Sequence, residues 1–404
     1  MRTRIAKVQA TKLQAKAAQV DVQRLLAEAE AREAGMVERL RRLVEIESPS
    51  GDKAAVDRAM GVFAEWAEAA GGVVKWHRHR GFGDSAEVRF AGGAAGAAGS
   101  SKEKAVLLLG HLDTVWDHGT LKQMPWRATE DVIAGPGVLD MKAGVVMALT
   151  AVEMLKDLAL LRRPVTMLLH GDEEIGSPAS RKVTETVARR CAAVYVMEPA
   201  QGDVGAYKTA RKAVGMYRLA VRGVAAHSGV DFEQGHSAIV ELARQIETVS
   251  GFTDLKRGIT VNPGVIGGGT RSNVIAAEAW VEIDVRLVRQ RDVAAVQRKF
   301  ERLTVFDRGC ALDLTGGINR PPMERTKGTV ALFRQARKLA AEMGFALEEA
   351  ATGGGSDGNF TSAVGVATLF GMGAVGGGAH AVSEHLERKH LAPRTALLAA
   401  MIAG

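Results

Sequence analysis

An imidazole and a carboxylate stand two residues apart in Val106-Leu-Leu-Leu-Gly-His111-Leu-Asp113-Thr-Val115. The apolar run before them predicts a buried strand. On extended backbone, residues i and i+2 point to the same side, so His111 and Asp113 leave the strand end side by side. In open α/β sheets, ligand chemistry gathers at the carboxyl ends of the strands. Two further apolar runs end in the same way. Pro164-Val-Thr-Met-Leu-Leu-His170 passes into Gly171-Asp172-Glu173-Glu174, and Ala193-Val-Tyr-Val-Met197 into Glu198-Pro199. Adjacent carboxylates repel, so they need a cation, a shared proton or full solvation. Between these strands, Gly135-Pro-Gly-Val-Leu-Asp140-Met-Lys142-Ala-Gly144 reads as a turn that opens a helix and presents Asp140. Imidazole and carboxylate groups with little sulfur suit zinc or a similar divalent metal. Any one of these groups alone is as well explained by a solvated loop.

The elements that must position these groups fit within 404 residues, of which 47% are hydrophobic and 25% charged. That is ordinary globular composition with core enough for two or three domains. Cys191 and Cys310 are the only cysteines, too few for a disulfide framework or a thiolate metal site. The net charge is +7 and the pI about 9.4. Lys and Arg are spread among acids without a long basic block, so acidic small molecules or peptides are the expected partners, not nucleic acid. No uncharged apolar stretch reaches the ~18 residues that a membrane span needs; residues 138–155 come nearest and carry Asp140, Lys142 and Glu153. The basic start Met1-Arg-Thr-Arg-Ile-Ala-Lys is not followed by an apolar segment, so it does not read as a secretory signal. A cytoplasmic protein is expected, or a periplasmic one if a leader has been trimmed from the sequence.

In chain order, residues 5–47 read as helix, and Ser48-Pro49-Ser50-Gly51 breaks it and offers a cap for the next, near 53–70. Strands are expected at 73–78 and 86–90, and a flexible surface loop over the small, glycine-rich residues 92–101. After the three strand exits the texture changes. From about residue 217, strands and helices follow in the order β-α-β-β-α-β, the ferredoxin-like pattern. A helix at 327–343, Gly353-Gly-Gly-Ser-Asp357-Gly-Asn359, a strand at 367–370, Gly-Ala379-His380-Ala and a closing helix near 394–402 then resume the first domain. The expected division is 1–211 and 321–404 for a catalytic α/β domain, with 212–320 inserted as a smaller α+β domain.

These motifs in this order resemble the di-zinc peptidase family of bacterial glutamate carboxypeptidase, acetylornithine deacetylase, succinyl-diaminopimelate desuccinylase and aminoacylase. The resemblance runs from about His111 to His385, and rests on Gly-His111-Leu-Asp113, Leu-Asp140-Met-Lys, Asp-Glu173-Glu174-Ile-Gly-Ser, Met-Glu198-Pro, Ala-His227-Ser-Gly, Gly-Ser-Asp357-Gly-Asn and Gly-Ala-His380-Ala. It implies a zinc-exopeptidase-like mixed sheet with a ferredoxin-like lid through which two chains dimerise. It also implies two zinc ions per chain, with cobalt or manganese possible. Asp140 would bridge them, His111 and Glu198 would complete one site, and Glu174 and His380 the other, with His385 as the fallback for the last ligand. Asp113 would fix the His111 ring, and Glu173 would be the general base. The peptide after the bridging aspartate is cis in this family, so Asp140–Met141 is expected to be cis.

By the same resemblance, His227 would reach the partner subunit's site and stabilise the oxyanion. Asn273, Arg286 and Arg320 would bind substrate carboxylates, bidentate pairing being the physical reason for arginine. Lys208 would assist, or Arg211 in its place. The expected activity is removal of a C-terminal glutamate or aspartate from N-acyl-amino acids, folate-type conjugates or acidic oligopeptides. The alternatives are an N-acyl-amino-acid deacylase, a dipeptidase, or a non-catalytic binding protein on the same scaffold.

Overall fold

The computed structural model describes residues 21–93 and 103–404. The beginning of the first expected helix and most of the expected glycine-rich loop lie outside these described residues. The chain divides into two compact units. One comprises the chain up to Thr209 with Thr326–Ala350 and Val364–Gly404; the other comprises Ala210–Arg325 and Ala351–Ala363.

The described residues open with helices α1 (Val22–Ala31), α2 (Glu33–Val44) and α3 (Lys53–Ala69). Where the sequence reads as one helix, the chain turns at Arg32. Its neighbours are good helix formers, so the break has no local signal; the Arg32 guanidinium instead pairs with Glu28 at 2.6 Å and Asp157 at 2.7 Å. Asp52, not either of the preceding serines, caps α3 by accepting from the Ala55 amide at 3.1 Å. Then come β1 (Val73–His77), β2 (Gly83–Phe90), β3 (Val106–His111), β4 (Arg127–Ala128), β5 (Val132–Ala134), α4 (Ala143–Asp157), β6 (Val165–Gly171), α5 (Arg181–Ala188), β7 (Ala193–Val196) and β8 (Tyr207–Arg211). The next elements are β9 (Ala213–Arg222), α6 (Ala238–Ser250), β10 (Ile259–Gly268), β11 (Glu278–Leu287), α7 (Gln290–Glu301) and β12 (Ala311–Arg320). The chain closes with α8 (Lys327–Glu342), β13 (Glu349–Thr352), α9 (Gly358–Ala363), β14 (Thr368–Phe370), β15 (Gly376–Gly377), β16 (His385–Glu387) and α10 (Leu391–Ala403).

In the first unit the main sheet is mixed, in the order β1-β2-β6-β3-β7-β14-β8-β13. β3 lies between β6 and β7 and runs parallel to both. His111 is level with His170, and Leu109 with Val196. The three strand exits rich in His, Asp and Glu therefore open along one edge of the sheet. β3 and β6 are buried throughout, which is why they read as continuous apolar runs. α4 and α10 are apolar on nearly every side and buried accordingly. Each Val, Leu or Met side chain fully buried there contributes about 1.5–3 kcal/mol. Gly144 in the first turn of α4 allows a close approach: a Cβ there would lie 1.9 Å from the Met197 carbonyl oxygen. A small additional sheet, β15-β16-β5-β4, has strands too short to give a readable alternation.

In the second unit the four-stranded antiparallel sheet has the order β10-β11-β9-β12. With α6 and α7 it follows the β-α-β-β-α-β order expected from the sequence. β9 and β11 alternate buried and more exposed residues, so one face carries the core. The Tyr217 and Phe300 rings stack there at 4.0 Å. β12 runs through the Gly316-Gly317 pair to Arg320.

Candidate metal centre

His111 ends β3 with its side chain almost wholly buried. Its Nδ1 lies 3.0 Å from the main-chain oxygen of Asp113 and 3.4 Å from that residue's Oδ1. A ring nitrogen that donates on this side leaves Nε2 free to ligate. Nε2 faces Asp140 Oδ1 at 3.4 Å, Glu198 Oε1 at 3.8 Å and Glu173 Oε2 at 4.0 Å. Asp140 sits on the turn between Gly137, whose φ is 70°, and α4. The Asp140–Met141 peptide is cis. The second oxygen of Asp140, Oδ2, lies 3.3 Å from His380 Nε2, which is also 3.3 Å from Glu174 Oε2. His380 has a φ of 61°, a left-handed conformation in which histidine is among the more tolerated residues and which clusters at functional sites.

The ligating atoms of His111, Asp140 and Glu174 lie within 4.8 Å of one another, as do those of His111, Glu173 and Glu198. His111 Nε2, Asp140 Oδ1 and Glu174 Oε1 are buried and make no hydrogen bond among the described residues. Polar atoms left in this state are costly, and cations bound in the cluster would satisfy all three. Imidazole with carboxylates is a donor set for zinc or a similar divalent ion, so the residues present fit a metal.

The proton inventory agrees. Burial and the charges of Asp140 and Glu173 push the Glu174 carboxyl up to about 7. Hydrogen bonds to Asp140 and Glu174 push His380 up to about 10. Burial opposes the charge on His111, but the Asp113 and Asp140 carboxylates outweigh it and raise that imidazole well above its usual range. Asp140 is also buried, yet the two imidazoles hold it below the usual carboxylate range. Without a cation, protons held by His111, His380 and Glu174 offset part of the carboxylate charge.

The sequence profile of peptidase family M20/M25/M40 matches residues 107–404. The chain belongs to this family. It is therefore a metal-dependent hydrolase of the peptidase and deacylase kind. It is similar to carboxypeptidase G2 of Pseudomonas sp. (strain RS-16), with 27% identity over 371 residues, which is 91% of this chain and 88% of that one. Its fold is similar to that of aminopeptidase PepT from Bacillus cereus, with a TM-score of 0.72 at 20% identity, covering 92% of this chain and 98% of that one. It is also similar to the Bacillus subtilis YXEP protein, a dinuclear metal binding peptidase of family M20, with a TM-score of 0.64 at 15% identity over 93% of this chain and 98% of that one.

Further features of this M20 chain bear on the site. The Asp113 carboxylate accepts from Ser50 Oγ at 2.7 Å and from the amides of Glu173 and Glu174 at 3.2 and 3.1 Å. Ser48 Oγ donates to the Leu112 carbonyl at 2.7 Å. The serines that read as a helix cap thus hold the β3 exit. Asp172 closes the acidic turn from behind by accepting from the Ala179 and Ser180 amides. Glu384 is the residue that sequence reasoning passes over: it is buried and accepts from four donors around Asp140. His385, the fallback ligand, instead has its Nδ1 2.7 Å from the Ser383 carbonyl.

Lys208 is buried in the first unit and donates to the Pro199 carbonyl at 2.9 Å. The other expected substrate residues lie in the second unit. His227 and Asn273 are exposed, and their segments are joined by the Ser228 amide donating to the Asn273 carbonyl at 3.1 Å. Arg286 pairs with Asp284 at 2.8 Å and donates to Gly353. Arg320 pairs with Asp357 at 3.2 Å, and Arg211 donates to Gly354 at 2.8 Å. All three guanidinium groups therefore meet the segment 353–359 or a partner on it. Among the described residues, no helix is long and apolar enough to cross a membrane.

Proposed function

We propose that this chain is an exo-acting di-zinc hydrolase that cleaves the amide bond to a C-terminal glutamate or aspartate, with cobalt or manganese able to replace zinc. The observation that carries the di-metal reading is the placement of Asp140, which offers one oxygen to His111 and the other to His380. In this reading Asp140 would bridge the two ions, His111 and Glu198 would hold one, and Glu174 and His380 would hold the other. The likeness to a dinuclear metal binding peptidase supports it. When bound, two such ions lower the pKa of a water and polarise a scissile carbonyl.

The chain's own residues supply the proton traffic and the grip on substrate. Glu173 takes a proton from the attacking water and passes it to the leaving nitrogen. Asp113 fixes the Glu173-Glu174 turn through two main-chain amides and holds the His111 segment. The leaving residue's carboxylates are bound by Arg320, Arg286 and Asn273, with Lys208 assisting. Arg320 and Arg286 already have carboxylate partners, but a guanidinium has five donors and can hold a second acceptor. The positive net charge of the chain favours acidic substrates. Two chains pair through the second unit, and His227 of each serves the other's site as an oxyanion donor. The exposure of His227 supports that role.

A panel of N-acyl-glutamate, N-acyl-aspartate, N-acyl-leucine and neutral dipeptides tests the specificity. The acidic pair should be hydrolysed with the higher kcat/KM. Preference for acyl-leucine or for free-amine dipeptides would replace the carboxypeptidase reading with a deacylase or dipeptidase one.

A further inference from the structure

We propose that Glu384 is a positioning residue that fixes the Asp140 turn against the His380 loop before any cation arrives, an inference that rests on the di-metal reading above. The Glu384 side chain is buried, with the residue 1% exposed. Its Oε1 accepts from the amides of Leu139 at 2.8 Å and Asp140 at 3.1 Å. Its Oε2 accepts from the amide of Gly137 at 2.9 Å and from the indole nitrogen of Trp116 at 2.8 Å.

A carboxylate has about four lone-pair positions, and here each meets a donor. Glu384 therefore has no capacity left for a metal, although it borders the cluster. Three amides from one short turn that converge on an anion form a main-chain nest, and the anion is supplied by the chain itself. Buried charge is tolerated when hydrogen bonds satisfy it in this way.

The nest and the anion belong to segments that carry different candidate ligands. The turn Gly137–Asp140 carries Asp140. Glu384 closes the loop that carries His380, through Ala381 donating to the Gly378 carbonyl and Glu384 donating to the Ala381 carbonyl, each at 2.8 Å. Trp116 adds the segment that follows Asp113. One buried side chain thus ties together three stretches distant in sequence, two of which meet at the 3.3 Å approach of His380 to Asp140. Groups that orient metal ligands in this way typically contribute about 10–100-fold to metal affinity.

Glu384→Gln tests this. An amide side chain keeps the size but turns two donors toward donors, so half of the nest is lost. Metal-free wild type and variant are titrated with cobalt(II), following uptake per chain and the visible absorption of the ion. Wild type should take up about two ions. The variant should bind the more weakly held ion about 10–100-fold less tightly, with altered absorption bands. A change confined to folding would lower the unfolding midpoint and leave affinity and spectrum intact.

Amide hydrogen exchange on metal-free wild type supplies a second measurement that needs no variant. The Gly137, Leu139 and Asp140 amides should be protected without metal. Wild-type cobalt affinity and spectrum in Glu384→Gln would overturn the inference. If that variant does not fold, rapid exchange of the three amides in the metal-free wild type would overturn it. Wild type that takes up no pair of ions would instead sink the di-metal reading, and this inference with it.

Discussion

The amide nitrogen of Glu174 lies 3.1 Å from Oδ2 of Asp113. This bond ties the exit of β3 to the exit of β6, and the Glu173 amide repeats it on Oδ1 at 3.2 Å. The same carboxylate therefore sets both the candidate base and a candidate ligand relative to His111. Asp113→Asn leaves one acceptor oxygen and turns an amide donor toward the other N–H. We expect metal affinity or kcat to fall about 10–100-fold, with the fold retained by circular dichroism. Unchanged metal affinity together with unchanged kcat would remove Asp113 from this role.

Glu173 lies at the cluster, with its Oε2 4.0 Å from His111 Nε2, but only its loss should separate proton transfer from metal holding. Glu173→Ala is expected to lower kcat by at least about 10²–10⁴-fold, the usual contribution of a general base. Metal content, measured by elemental analysis, should stay at the wild-type value. Residual turnover near wild type would assign the base elsewhere.

Metal uptake should depend on pH with a definite sign. A bound cation needs Glu174 ionised and His380 neutral. The metal-free protein holds the first proton up to about 7 and the second up to about 10. Binding near neutral pH must therefore release protons, and apparent affinity must rise as pH rises from 6 to 8. Calorimetry in buffers of different ionisation enthalpy measures the released protons directly. No net release at pH 7 would contradict the assignment of these two ligands.

Gly144 gives a structural prediction next to Glu198. A Cβ at this position would sit 1.9 Å from the Met197 carbonyl oxygen, so Gly144→Ala must push α4 away from the β7 exit. Overpacking of this kind costs about 1–3 kcal/mol. A lowered thermal midpoint should be accompanied by weaker metal uptake, because Glu198 follows Met197. An unchanged midpoint would show that the approach is not tight.

Much of the candidate site is legible in the sequence because its groups stand at the ends of strongly apolar runs. Val106–His111 and Val165–Gly171 are buried strands whose chemistry begins where the apolar run stops. The insertion of a β-α-β-β-α-β unit is legible for a similar reason: its strands alternate cleanly. What local pattern does not carry is which strands become neighbours, and it is the placement of β3 between β6 and β7 that makes one centre out of separate motifs. Glu384 is invisible to any window, since its partners lie 244 to 268 residues away. The roles of Ser48 and Ser50 are misread for the same reason: a serine before a helix looks like a cap, and only the fold reveals the segment that it meets. The turn at Arg32 and the short strands of the small sheet also depend on partners distant in sequence.

The central claim is tested most directly by removing the metal and restoring it. Chelator-treated protein should lose hydrolysis of an N-acyl-glutamate. Titration with zinc should then restore it in step with the binding of about two ions per chain, as two-metal chemistry requires. Hydrolysis that survives complete removal of metal, or full activity at a single ion per chain, would contradict the account.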